Sequence, residues 1–483
     1  MNSRMLRGIT TIAGFVALAL PVQLAAQQQR YKLIDLGTFG GPNSFVNGPG
    51  VRDFSNAGTY VGDAETDIPD PFAPNCMSPD CLVGFPQKWS KGVVSALSSL
   101  PGVNLTSGAT WISADGRFIS GASDNGIPDP ITGALTEGRG VFWTTDGQIH
   151  DLDTLEGGTE SFAASVNSQG QVIGVSNNAI PDPFSMSGWG TQTRAVLWQN
   201  GTIQDIGTLG GPDAGVLAIN ERGQITGQSY TNSIPNATTG MPTVDPFLWE
   251  DGRMIDIGNL GGTIGITNAS NNNGQVAGIM YLAGDVNFHP FSWIRAVLTD
   301  IGTFGGSTGE ALRVSDSGFV VGRADFAGDF IHHAFVWKDG VMHDVGVVPG
   351  DLCTNGRAIN SRGQAIGTST DCMGTVEHMF LWENGSIHDL TAMILPGSDI
   401  KVFEAWDIND RGEIAAVGML PNGDQHAVLL IPASASEIAA AGALGVSQPA
   451  SHAMHIFVKD ADNSLSSNRS RGMNLFLRVR REP

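Results

Sequence analysis

A chain of 483 residues with 64 glycines and 15% charged residues has room for two or three ordinary domains or one long repeat array. Its formal net charge of −21 removes nucleic acid and anionic membrane surfaces as partners, because both recruit basic patches. Before residue 433 no long run keeps the apolar spacing of a helix, so the composition predicts many short strands joined by tight turns.

Arg4 and Arg7 precede the apolar stretch "ITTIAGFVALALPVQLAA" and then "QQQR". That layout predicts a secretory signal peptide over 1–26, cleaved after Ala26, and a secreted protein in the extracellular or periplasmic space. No later apolar run is long enough to cross a bilayer, so no transmembrane segment is expected after cleavage. Four cysteines suit an oxidising compartment. Cys76 and Cys81 share one loop, and Cys353 and Cys372 flank a predicted hairpin, which predicts two local disulfides. Nothing has the ligand spacing of a zinc site.

Residues 27–432 read as repeats. From Gly302 the chain runs "GTFGGSTGE", then "ALRVSDSGFVVGRA", then "HHAFVWKDGVMHDVG": four alternating segments separated by turn residues, the pattern of paired strands. The third turn is Asn200-Gly201, Asp251-Gly252, Asp339-Gly340 or Asn384-Gly385, pairs that tolerate the positive φ of a type I′ hairpin. The first turn recurs as "VNSQG", "INERG", "INSRG" and "INDRG". The Asp of the closing phrase returns at 151, 205, 256, 300, 344 and 389, spaced by 44 to 54 residues, the length of a four-stranded propeller blade.

The last unit ends at Pro432 with three strands, while "YKLIDLG" from Tyr31 is a fourth strand without its first three. The expected architecture is therefore an all-β, eight-bladed β-propeller of four-stranded blades whose last blade is closed by the N-terminal strand. Trp89, Trp143, Trp198, Trp249, Trp293, Trp337 and Trp382 hold one register and are expected to wedge between blades. Residues 433–483 read as an Ala-rich segment followed by a basic, flexible tail carrying Arg469, Arg471, Arg478, Arg480 and Arg481.

"HAFVW" at 333–337, "DIGTFGG" at 300–306 and "AINERGQITG" at 218–227 recur together. In these phrases the chain resembles the HAF-repeat family of extracellular bacterial repeat proteins, over residues 31–432. The resemblance implies secretion and a repeat architecture, and no catalytic residues. The His of the naming phrase is replaced by Arg139, Arg194 and Asp245 in three units, and the Trp by Leu430 in the last.

Two features invite a functional reading. His289, His333, His378 and His426 share one strand position and are expected to bond a neighbouring blade's loop rather than share a metal ion. "IPDP" at 68–71, 127–130 and 180–183, with "IPNA" at 234–237, places Asp70, Asp129, Asp182 and Asn236 in long loops of four adjacent units. Stiffened by flanking prolines, they would form a cation or ligand platform on one face, with calcium the one cofactor suggested. Against this stands a rigid turn copied by duplication. No Walker loop, nucleophile elbow, zincin motif or EF-hand loop occurs. The expected function is a non-catalytic, monomeric binding or scaffolding platform for a glycan, cation or protein. The alternative is a polysaccharide hydrolase or lyase with acidic residues at the central mouth.

Overall fold

The computed structural model describes residues 29–48, 51–74, 76, 80–101, 105–374, 376–443 and 454–455. The signal peptide expected over 1–26 and the arginines of the expected basic tail lie outside the described residues. What is described is nearly all β. Consecutive strands pair antiparallel in groups of four, as in Ser161–Val166, Val172–Pro181, Thr191–Gln199 and Thr202–Asp205. The first strands of successive groups, modules one to eight below, are Gly40–Phe45, Ser107–Ile112, Ser161–Val166, Ala214–Ile219, Gly261–Ser270, Gly305–Val314, Cys353–Ile359 and Lys401–Ile408. Single parallel bridges, Val244 to Ile264 and Phe288 to Thr308, join modules four, five and six into one twelve-stranded sheet.

Module eight has three strands of its own, ending with Gln425–Pro432. Its fourth place is taken by Tyr31–Asp35, antiparallel in the register Tyr31 to Pro432 and Asp35 to Val428. The reason is local chemistry: Tyr31 and Leu33 face the apolar cluster of Val402, Ala405, Val428 and Leu430, while Lys32 points outward.

The predicted hairpins form as the sequence demands. Asn200, Asp251, Asp339 and Asn384 have φ of 50 to 53°, and the glycine after each is also positive, the type I′ geometry that continues the strand twist. The first strand of modules two to eight carries a register shift near its end, at Ala163/Ser165 and Val216/Ala218 for example. The bulge re-aims the residue beside it and brings two backbones close. That is why the second strand has Gly227 opposite: a Cβ there would collide with the Gly215 carbonyl oxygen.

The core lies between modules rather than inside each one. Phe247 and Trp249 of module four pack with Ile173, Ala195 and Leu197 of module three. Phe335 of module six meets Ala277 of module five. Six of the seven Trp residues in the repeated register are buried, and Trp337 is partly so, as expected for wedges. Phe54, Tyr60 and Trp89 of module one pack on Ala415, Val417, Ala427 and Leu429 of module eight, so the first and last modules share a cluster.

Both disulfides form, Cys76–Cys81 in a loop and Cys353–Cys372 across a hairpin's open end. The Ala-rich segment after Pro432 folds as the helix Ala435–Ala443. Ser434 and Glu437 cap it reciprocally: Ser434 N donates to Glu437 Oε2 at 2.9 Å and Glu437 N to Ser434 Oγ at 3.3 Å. Tail residues Met454–His455 pair with Val376–Glu377 of module seven, so the tail is not a free end throughout. The flexibility expected of 456–483 falls outside the described residues. Among the described residues, no helix is long and apolar enough to cross a membrane.

Candidate functional site

Strand alternation puts the first and third turns of every module at one end of its sheet, and the long second-to-third-strand loops at the other. The turn ends of neighbouring modules are tied together. Asn167 Nδ2 donates to Asn220 O (3.1 Å), Asn220 Nδ2 to Asn271 O (3.0 Å), and Asn271 Nδ2 to Ser315 O (2.8 Å). Asn360 Nδ2 donates to Asn409 O (3.0 Å), and Asn409 Nδ2 to Ser55 O of module one (3.1 Å). Where Ser113 or Ser315 replaces the Asn, the link passes through Arg117 to Ser168 O (2.7 Å) and Ser317 Oγ to Ser361 O (2.7 Å). Modules one and two are joined by Asn56 N to Ala114 O at 3.1 Å. The same Asn side chains accept from their own turns, Gln224 N to Asn220 Oδ1 for instance. The sequence shows the Asn and its turn; its grip on the next module's carbonyl emerges only in the fold.

These turns surround a cavity of about 100 Å³, partly open to solvent, lined by the ends of first strands from six modules and by Arg52, Phe54 and Asn56 of module one. Glu221, Asp316 and Asp410 sit at its mouth, and each accepts a neighbouring turn's backbone N–H, from Ser168 (3.1 Å), Asn272 (2.9 Å) and Ser361 (2.7 Å). Deeper, Arg313 of module six donates to Val51 O and lies 3.9 Å from Asp407 Oδ1. Asp407 Oδ2 accepts Asp53 N and Phe54 N at 3.1 Å each, while Asn47 donates to Asp53. Burial and then the nearby Asp407 hold Asp53 well above the usual carboxylate range, and burial also pulls Arg313 down. Arg52 stacks over Trp111 at 5.4 Å. This cluster has the marks of a structural brace. Its acids are desolvated and committed to backbone donors, to the Asn47 amide or to a guanidinium, and breaking one partner would strand a buried charge.

At the loop ends, Asp70, Asp129 and Asp182 do not project as an arc of ligands. Each is at least nine-tenths buried and turned back into its own loop. Asp70 accepts Phe72 N at 2.8 Å, Asp129 accepts Ile131 N at 2.9 Å, Asp182 accepts Phe184 N at 2.9 Å, and half-buried Asn236 accepts Thr238 N at 2.8 Å. A short carboxylate or amide bonding its backbone two residues on is a turn device, and the flanking prolines make that conformation cheap. The loops also touch the next module: Thr106 Oγ1 of module two lies 3.4 Å from Asp70 Oδ2, and Asp182 faces Asp213 at the start of module four. Among the described residues, no three His, Cys, Asp or Glu side chains converge to hold a metal ion.

These loops also expose apolar side chains. Ile68, Ile127, Ile180, Ile234, Val286, Phe330 and Met373 are exposed, at least one in each of seven consecutive modules, with Val286 at 78% and Ile234 at 75%. In the sequence the Asp of "IPDP" stands out by its charge, while the Ile two residues before it carries no such mark, because alternation alone assigns it to either side of a strand end.

The His row pairs differently from expectation. His289 Nδ1 lies 2.9 Å from Asp300, His333 Nδ1 2.8 Å from Asp344, and His426 Nδ1 2.8 Å from Asp35 of the N-terminal strand. The partner is the Asp on the module's own fourth strand, which the register sets opposite the residue two positions after the His, a diagonal neighbour within reach of the imidazole. His378 instead reaches Asp351, in the segment leading into module seven, at 2.9 Å. Arg194 and Arg139 keep the pairing, 2.8 Å from Asp205 and 3.2 Å from Asp151.

The chain matches no known family model. A glycerol kinase of Mycoplasma mycoides subsp. mycoides is 28% identical over 115 residues, 23% of this chain and 22% of the kinase, so the chain spans about a fifth of that protein. Among solved structures, Porphyromonas gingivalis dipeptidyl peptidase 4 is similar over 84% of this chain and 61% of its own, at 10% identity and a TM-score of 0.46. The polysaccharide lyase Uly1 is similar over 85% and 94%, at 8% identity and a TM-score of 0.35. A post-proline cleaving enzyme from Rickettsia typhi is similar over 81% and 53%, at 9% identity and a TM-score of 0.35.

Proposed function

We propose that the chain is a secreted HAF-repeat protein, a closed eight-bladed propeller that acts as a non-catalytic binding platform through its long-loop face. Support for closure comes from the Tyr31–Asp35 pairing with Gln425–Pro432 and from the turn-to-turn hydrogen bonds that return to Ser55. The two disulfides favour an oxidising compartment. One observation carries the binding reading: the repeated exposure of at least one large apolar side chain at the same loop end of seven consecutive modules. Scattered exposed hydrophobes need no explanation, but a row of them on one rim is the mark of an interaction surface. The acids at the axis favour the same reading, since backbone donors and Arg313 already occupy them.

The test is a triple substitution, Ile127→Ser with Ile180→Ser and Ile234→Ser, compared with the parent in pull-downs of extracellular glycans and proteins. The side chains are exposed, so melting should be unchanged while capture falls at least tenfold. Equal capture by both proteins, or release of product from any polysaccharide, would sink the reading.

A further inference from the structure

The basic residue four positions before the third-strand Trp, or before its replacement Leu430, is matched by a fourth-strand Asp in modules two, three, five, six and eight. Module four breaks that pattern. Asp245 stands where its sisters have Arg or His, and the Asp it faces, Asp256, is still there. An ion pair has become two like charges. Asp245 is 5% exposed, and its Oδ1 has no hydrogen-bond partner among the described residues. Asp256 is exposed and uses Oδ1 to accept Gly258 N at 2.7 Å. The exposed Asn259 side chain nearby favours the charged form of Asp245.

We propose that module four binds a divalent cation of the calcium type between Asp245 and Asp256. The ion takes the place of the missing Arg or His. A dication matches two carboxylates as one guanidinium matches one. The donors are all oxygen, which favours calcium over the softer transition metals. Asp256 opens to solvent, so water can enter and complete the shell. Burial, and then Asp256, push Asp245 up to about 6, so at neutral pH both carboxylates are charged and their repulsion is what an ion relieves. Two protein carboxylates make a weak site, with a Kd on the order of 10⁻⁴–10⁻³ M, the range of extracellular calcium modules. The site is separate from the Asp70, Asp129, Asp182 and Asn236 series, and does not depend on what the apolar loop ends engage.

The experiment uses the full chain, stripped with chelator, with calcium chloride alone as the probe in calorimetric titration and thermal melting. Asp245→His rebuilds the sister pair with Asp256, so that variant should fold, melt at or above the stripped parent, and bind calcium at least tenfold more weakly. Asp256→Asn should lose the calcium response in the same way and guards against a folding defect in the first variant. A parent that does not respond to 10 mM calcium would overturn the proposal. So would variants that respond as the parent does.

Discussion

A buried acid pair between the long loop of module three and the start of module four should make stability depend on pH. Asp213 is fully buried and accepts Met186 N at 2.7 Å and Thr193 N at 3.0 Å. Asp182 faces it, with its own Oδ2 lacking a donor. Burial first, and the Asp182 carboxyl beside it, push Asp213 up to about 8, against 3.8 for an ordinary Asp. Between those values the folded chain keeps a proton that the unfolded chain has released. The stability that this group contributes is therefore complete below about pH 4, falls as pH rises, and levels off above about pH 8. The slope approaches about 1.4 kcal/mol per pH unit, and the whole loss is capped at roughly 6 kcal/mol.

Asp182→Asn tests this cleanly. Its Oδ1 can still accept Phe184 N, while Nδ2 takes the place of the orphaned oxygen and donates to the Asp213 carboxylate. The charged form of Asp213 then gains a partner, so the variant should exceed the parent by about 1–2 kcal/mol at pH 8 and by little at pH 5. Urea midpoints at pH 5, 6.5 and 8 read the difference, and other titrating groups cancel because both proteins share them. A difference that stays the same at all three pH values would refute the shared-proton argument.

Two further outcomes follow from the joint between modules eight and one. Tyr31→Ala empties a fully buried site among Val402, Leu430 and Met393 and should cost about 3–5 kcal/mol, read as a lower urea midpoint with early proteolysis near Pro432. Asn409→Ala removes donors to Ser55 O and to Glu413 Oε2 (2.7 Å) and should cost about 1–3 kcal/mol, with amide exchange rising first around Ser55.

Where the sequence was informative, the signal was local. Asn200-Gly201 and its counterparts encode their turn in two residues, and the unmatched "YKLID" reveals its partner because every other unit supplies a fourth strand itself. Cys353 and Cys372 were legible for the same reason, since a hairpin places them opposite each other. Side-chain destinations across modules were not. Asn220 bonds both its own turn and a carbonyl 51 residues away, and only the first bond leaves a trace in spacing. Asp70, Asp129 and Asp182 read as ligands because acidity is visible in sequence, whereas burial depends on how a loop folds back. Asp245 was noticed as a departure from the repeat. Its meaning requires knowing that the position lies diagonal to Asp256, which only the strand register supplies.

The pairing of Tyr31–Asp35 with Gln425–Pro432 also sets an order of events during synthesis. Of the described strands, the earliest made is the last to find its neighbour, because nearly four hundred residues must appear before its docking edge exists. Until then Tyr31 and Leu33 stay without a permanent home, and the module made last waits with a bare rim. A nascent chain that stalls before residue 425 has no means of hiding that opening segment, so stalled products should be the ones quality-control proteases recognise.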